Sequence, residues 1–448
     1  MFNKLLKKLD ETDLSLARGS ISSIAVKVFG LIAALGAEVL LTRNLGPSAY
    51  GVYAFVFQTL AILSVAAKFG QDAVCLRFVA AYRSSGRFSE LKGILRFSGT
   101  LAAALGCLIG AGLWLVFQRY SFVFDAEVRE GLAVGALAMP LIPLLAVRES
   151  ALQGLKYPAL GQISSRIIYP LALITFLTAS LAITSQLDSG HAILCAVAAN
   201  VVAIVSVITL LARSVPGEVN KAVTVLRPKE WIIVGVGMLL VSGQYILMNR
   251  VDILMLEPMA GKEATGIYAV CVRLAWLVSF FIQAASVIAA PLISELYSSG
   301  QASKLQRIVH LTIVISSACS AVIFLALVLF GELVLGVFGP AFPRGYQVLV
   351  ILAGAQLFNA LTGPSGFLLT MTGHERLLGL LMFTALVLNC TLNFIMIPAY
   401  GMAGAACATG ITTVLWNTVS VIMIRKKVGI YPVLGLSHLP PRQLNGEG

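Results

Sequence analysis

The chain has 448 residues, 58% of them hydrophobic and 12% charged, about half the charge of an ordinary soluble domain. Phe97 to Phe117, Ile167 to Leu187, Leu274 to Ser294, Leu311 to Gly331 and Gly345 to Gly373 hold no Asp, Glu, Lys or Arg, and each reaches the roughly 20 residues that cross a bilayer. These runs exclude a soluble globular fold, and the lack of short alternating segments excludes a transmembrane barrel; a lipid-embedded backbone then satisfies itself as helices.

In chain order, Met1 to Ser20 carries Lys4, Lys7, Lys8 and Arg18 beside Asp10, Glu11 and Asp13. It is expected as a helix on the inner surface, not a cleaved signal, because the apolar run behind it has full span length and no cleavage-type ending. Twelve apolar spans follow, near 20–43, 51–67, 97–117, 131–147, 163–184, 191–212, 231–256, 266–290, 309–335, 345–371, 377–397 and 402–424. Lys68 and Asp72, four apart at the end of span two, read as a local helix pair. Pro140 and Pro143 in span four and Pro170 in span five remove backbone bonds and kink their helices. The last two spans form one uncharged run, Leu377 to Ile424, which Pro398 to Gly401 must divide. The seven cysteines form no Cys-x-x-Cys pair and read as small hydrophobes, so neither a disulfide framework nor a metal site is expected, and no cofactor.

Basic residues orient the spans, since they concentrate in cytoplasmic loops. With the N-terminus inside, the inner segments hold 24 of the 32 Lys and Arg; Arg43, Arg119, Arg129, Lys262 and Arg344 lie outside, and Lys27, Arg250 and Arg273 within spans. Basic loops facing anionic lipid also account for the net charge of +12 with no nucleic-acid partner.

Ala49-Tyr50-Gly51-Val52-Tyr53-Ala54 recurs as Ala264-Thr265-Gly266-Ile267-Tyr268-Ala269, 215 residues on, and Ser84-Ser85-Gly86 with Ser89, Leu91 and Ile94 recurs as Ser298-Ser299-Gly300 with Ser303, Leu305 and Ile308, 214 residues on. Two patches in register indicate a duplication. An even number of spans per half makes both halves enter the membrane in the same sense. The expected fold is an all-α integral membrane protein of about twelve transmembrane helices in two parallel-repeat six-helix lobes. The lobes are 1–212 and 231–424, with a cytoplasmic inter-lobe linker at 213–230 and a cytoplasmic tail at 425–448.

Several stretches carry a family resemblance. Leu45-Gly46-Pro47-Ser48-Ala49-Tyr50-Gly51, Arg77-Phe78-Val79-Ala80-Ala81-Tyr82, Asn249-Arg250-Val251-Asp252-Ile253-Leu254, Thr372-Gly373-His374-Glu375 and Pro398-Ala399-Tyr400-Gly401-Met402-Ala403-Gly404-Ala405-Ala406 resemble, in order and spacing, the polysaccharide transporter family. That family comprises repeat-unit flippases of the multidrug/oligosaccharidyl-lipid/polysaccharide flippase superfamily. The resemblance implies a non-enzymatic transporter that moves an undecaprenyl-diphosphate-linked oligosaccharide across the bacterial inner membrane by alternating access. The implied partners are that lipid-linked oligosaccharide, membrane lipids and other polysaccharide assembly proteins.

Charges inside spans cost at least ~2.5 kcal/mol each on insertion scales and usually face an interior. Lys27 and Glu38 lie eleven residues apart on nearly one face of the first span, and Ser23, Gly30 and Ala34 continue that stripe. Small residues serve equally as a cavity wall or a close helix contact; Lys27 tips the reading toward a cavity. Lys27, Arg250 and Arg273 are the candidate contacts for an anionic head group. Glu38 and Asp252 are expected either to balance those cations or to carry a coupling ion.

Two transport alternatives stand beside this reading. A cation-coupled multidrug exporter of the same superfamily would favour acidic residues in its cavity, and a peptidoglycan lipid-precursor flippase often has more than twelve helices. A polytopic glycosyltransferase would need sizeable outer loops, and the longest here is roughly Gln118 to Glu130; no nucleotide motif, metal spacing or nucleophile triad is found.

Overall fold

A computed structural model describes residues 11–119, 125–184 and 186–433. The expected surface segment before Glu11, the middle of the loop after span three and the chain beyond residue 433 lie outside the described residues, as does the side chain of Ser23. Every element among the described residues is helical.

The chain divides into two compact units, Met1–Ile246 and Leu247–Gly448. The first contains α1 (Glu11–Lys68), α2 (Gln71–Ser84), α3 (Phe88–Arg119), α4 (Ala126–Gly135), α5 (Leu141–Gly154), α6 (Tyr169–Thr184), α7 (Ser189–Ser214) and most of α8 (Pro228–Met248). The second contains α9 (Val251–Val278), α10 (Phe280–Ser298), α11 (Ala302–Phe338), α12 (Tyr346–Leu361), α13 (Ser365–Met371) and α14 (Glu375–Lys427).

Eight helices among the described residues are long and apolar enough to cross a membrane, nine when the pair bent by 49° at Val278–Phe280 is taken as one. Three of the nine fold back on themselves. A straight run of 58 residues, the length of α1, would extend roughly 87 Å, almost three times the hydrocarbon thickness. Instead α1 breaks at Gly46 (φ 70°, ψ 175°), and the Tyr50 hydroxyl donates to Glu38 Oε1 at 2.5 Å. Those residues would be about 18 Å apart on an unbroken helix. In α9 the break is Gly261 (φ 85°, ψ 169°), and the Tyr268 hydroxyl reaches Asp252 Oδ2 at 2.6 Å. In α14 it is Gly401, and Asn389 Nδ2 reaches Thr409 Oγ1 at 3.4 Å. Nine spans with three reversals give twelve passes, and each segment read from the sequence falls on one.

The duplication is visible in backbone geometry. Gly46 and Gly261 occupy the same glycine-only region of backbone space. Gly86 and Gly300 turn at φ 68° and 66°; beside them Arg87 N–H donates to the Tyr82 carbonyl and Gln301 N–H to the Leu296 carbonyl, both at 2.9 Å. Lys92 and Gln306, again 214 apart, each hold the segment that follows the sixth pass of their unit. Lys92 Nζ donates to the carbonyls of Asn220 (2.7 Å) and Ala222 (2.8 Å). Gln306 exchanges a pair of hydrogen bonds with the Tyr431 backbone, at 3.1 and 2.9 Å.

The segment joining α7 to α8 is therefore no free tether. Val225 N–H donates to the Ser89 carbonyl, Arg227 pairs with Glu90 at 3.3 Å, and Trp231 is wholly buried with its indole donating to the Tyr82 hydroxyl at 3.2 Å. Trp231 completes the core of the first unit with Val74, Leu91, Ile94, Leu152 and Val207. The second unit has a matching core of Ile293, Leu305, Val309, Leu368, Ile424 and Ile430. Large apolar side chains elsewhere, such as Phe29, Leu108, Leu329 and Phe394, are exposed, the normal lipid-facing surface of such helices. At the connection between α6 and α7, Asp188 caps α7 by accepting from His191 N–H at 2.7 Å, which holds its carboxyl below the usual carboxylate range.

Candidate functional site

Two polar sites lie inside otherwise apolar helices, one in each unit. In the second unit, α9 leaves α8 at a break where Arg250 is non-helical (φ −137°, ψ −14°), and the reversal at Gly261 returns Tyr268 to Asp252. Asp252 is almost fully buried. Its Oδ1 accepts from Ile253 N–H at 2.9 Å, and its Oδ2 accepts from Tyr268 and, at 3.5 Å, from Thr409 on the second half of α14. Asn389 stands on the other side of Thr409, and Asn393 Nδ2 donates to Asn389 Oδ1 at 2.9 Å. Asp252, Asn249, Gln356, Asn389 and Thr409 line a cavity of about 40 Å³. That volume suits a water or a small ion, since one water occupies about 30 Å³ in the liquid and drug-sized ligands need several hundred. The lining offers hard oxygen donors, and no group of three or more His, Cys, Asp or Glu occurs among the described residues, so its chemistry suits a small hard cation or a proton rather than a transition metal. Arg250 and the exposed Arg273 lie close enough to repel one another.

In the first unit, Glu38 is buried and bound to Tyr50, and Tyr50 stacks on Tyr53 with ring centroids 6.0 Å apart. By the repeat, Glu38 corresponds to Asp252 and Tyr53 to Tyr268. The longer glutamate takes the tyrosine one turn earlier. Two turns or more back along α1, Gly30 meets the chain at Arg166. A Cβ on Gly30 would stand 2.7 Å from the Arg166 carbonyl oxygen and 2.8 Å from its Cβ, so this part of the stripe is a close helix contact. Lys27, one turn earlier and half-buried, is close enough to Arg166 for the two cations to repel.

Sequence reasoning put Arg166 both among the basic inner residues and at the start of span five (163–184); the structure sets it inside that helix, in the π turn Ser164–Ile168. Pro170, four residues on, has no N–H to give the Arg166 carbonyl, and the ring crowds that oxygen. The helix widens so that Tyr169 N–H bonds back to the Ser164 carbonyl. That proline was the available signal. π turns are rare and frequent at functional positions.

Of the five residues singled out from the sequence, Arg250, Asp252 and Arg273 come together in one unit, while in the other Lys27 and Glu38 lie about three turns apart, Glu38 bound to Tyr50 and Lys27 beside Arg166. The Lys68–Asp72 pair forms at 2.8 Å, but across a break, because Phe69 and Gly70 are both left-handed (φ 50° and 69°).

A duplicated helical bundle whose apolar passes carry a few buried titratable groups defines a multi-pass membrane protein. The family described as polysaccharide biosynthesis protein matches residues 16–297, and this chain belongs to it. The family described as MatE matches residues 237–395. The protein named "Probable low-salt glycan biosynthesis flippase Agl15" of Haloferax volcanii is 27% identical over 159 residues, 35% of this chain and 34% of that protein. An uncharacterized membrane protein of Methanocaldococcus jannaschii is 26% identical over 42% of this chain and 45% of its own. The chain thus spans less than half the length of either relative. Among solved structures, an inward-facing multidrug resistance MATE family transporter of the MOP superfamily superposes with a TM-score of 0.75 at 14% identity, covering 91% of this chain and 98% of that one. The lipid II flippase MurJ in an inward closed conformation gives 0.70 at 14% identity, covering 91% and 87%. At such identities the likeness is one of fold.

Proposed function

We propose that this protein is a flippase that moves an undecaprenyl-diphosphate-linked oligosaccharide across the bacterial inner membrane by alternating access, with both termini cytoplasmic, in surface or exopolysaccharide assembly. The family match over residues 16–297 carries this reading. It is supported by cations, not only acids, in the helical passes and breaks of each unit: Lys27 in one, Arg250 and Arg273 in the other. A diphosphate leaving water needs cationic partners, and Arg presents a fork of donors suited to its oxygens. A site this basic repels the amphipathic cations of drug exporters. Asp252, in a cavity of ion size, supplies the place for a coupling proton or small cation.

The multidrug reading keeps one specific support, the MatE match over residues 237–395. Complementation of a flippase-deficient strain, with mass spectrometry of its lipid-linked sugars, separates the two. The wild-type chain is expected to clear the accumulated lipid-linked oligosaccharide, and Lys27→Ala and Arg273→Ala to fail at normal protein levels. Full complementation by both variants refutes the cationic contacts; absence of any effect on lipid-linked sugar, with gain of resistance to cationic dyes, refutes the flippase.

A further inference from the structure

We propose that Lys27 and Arg166 together form a phosphate-binding site at the seam between α1 and the π turn before α6, with Arg166 a substrate contact for the head group. This inference rests on the flippase reading above for the source of the phosphate, but the site itself rests on the seam.

Three features build it. First, the seam is fixed by backbone. Gly30 is seated against the Arg166 carbonyl, an oxygen left without its helical donor by Pro170, so the two helices meet at one register and Arg166 cannot slide along α1. Ser206 Oγ donates to Ser164 Oγ at 2.8 Å and ties the same turn to α7. Second, the two cations have no ion pair of their own. Lys27 and Arg166 repel each other, and among the described residues neither makes an ion pair or a side-chain hydrogen bond. Glu149 attracts Arg166 without forming an ion pair with it: its Oε1 accepts from Ser165 N–H at 2.9 Å, within the turn that presents Arg166. Third, Arg166 is exposed, six residues from the start of the span Leu160–Thr184 and so roughly 9 Å along it. Two like charges at that depth raise the cost of each other unless an anion lies between them. A phosphate or diphosphate fits: the Arg fork takes two oxygens and the Lys ammonium a third.

The test is equilibrium binding to the purified full-length protein in detergent micelles, with farnesyl diphosphate, farnesol and inorganic diphosphate as probes. Farnesyl diphosphate should bind and farnesol should not. Arg166→Ala and Lys27→Ala should each weaken farnesyl diphosphate by about 10- to 100-fold, the worth of a charge-assisted hydrogen bond. The double variant should lose little more than either single one, because one anion is shared. Arg166→Lys should recover part of the loss, which guards against misfolding as the cause. If inorganic diphosphate matches farnesyl diphosphate and shows the same variant losses, the site stands as one for free phosphate and not for a lipid head group. If Arg166→Ala binds farnesyl diphosphate as the wild type does, the site is refuted, while the flippase reading survives on its own complementation test. If the binding losses appear but the gene does not act on lipid-linked sugar, the site stands and the flippase reading falls.

Discussion

Replacing Gly30 with alanine tests whether the α1 seam is held by backbone contact. On an exposed helix Gly→Ala would gain up to about 1 kcal/mol of helix propensity. At Gly30 the new Cβ would sit 2.7 Å from the Arg166 carbonyl oxygen and 3.2 Å from its carbonyl carbon. Backbone atoms cannot rotate away as a side-chain end can, so the helices must part, at an overpacking cost of about 1–3 kcal/mol. Gly36, on the same helix, is the matched control, because its Cβ would meet only Ile174 Cδ1 at 3.9 Å, an ordinary contact. The two variants should therefore differ by about 1–3 kcal/mol, with Gly36→Ala at or above wild type and Gly30→Ala below it. Unfolding midpoints of the detergent-purified proteins, by heat or by SDS titration, measure this. Equal shifts in both variants would mean that Gly30 is not seated on Arg166.

Gly46→Ala and Gly261→Ala should each lose about 1–3 kcal/mol, purely from backbone strain, since no atom lies within 4 Å of a Cβ at either position; unfolding midpoints should fall by similar amounts, and a neutral result at one would break the equivalence of the two turns. Gln306→Leu removes two hydrogen bonds to the Tyr431 backbone and leaves a half-buried carbonyl and N–H to find other partners, at roughly 1–3 kcal/mol. Faster limited proteolysis near residue 430 with the rest of the protein intact is the expected readout, and an unchanged rate would show that the segment is held by packing alone.

The passes were legible because a bilayer enforces them: with no water at depth, length and lack of charge suffice. Two of the three tight reversals announced themselves through Gly46-Pro47 and Pro398 to Gly401; the third, at Gly261, lies between Lys262 and Pro258 and was visible mainly through the repeat. What the chain order concealed was partnership. Asp252 lies sixteen residues from Tyr268, a spacing that means nothing on a helix and everything on a hairpin. Arg166 was hard to read for another reason. A charge near the end of an apolar run reads as a boundary, while Pro170 four residues later, which widens the helix and pins it against Gly30, acts only in three dimensions. Lys68 and Asp72 met as a regular helix would allow, yet over two left-handed residues, so a correct distance came from an incorrect backbone.

Trp231, where the seventh span read from the sequence begins, packs into the core of the first unit. A gene that doubled by tandem fusion could in principle be cleaved again at its seam and yield two separately encoded partners. Here that cut would strand an indole from its pocket and unroof the other fragment's interior. The seam between the repeats is thus a structural keystone: any split of the chain at that point would cost the first unit part of its own interior.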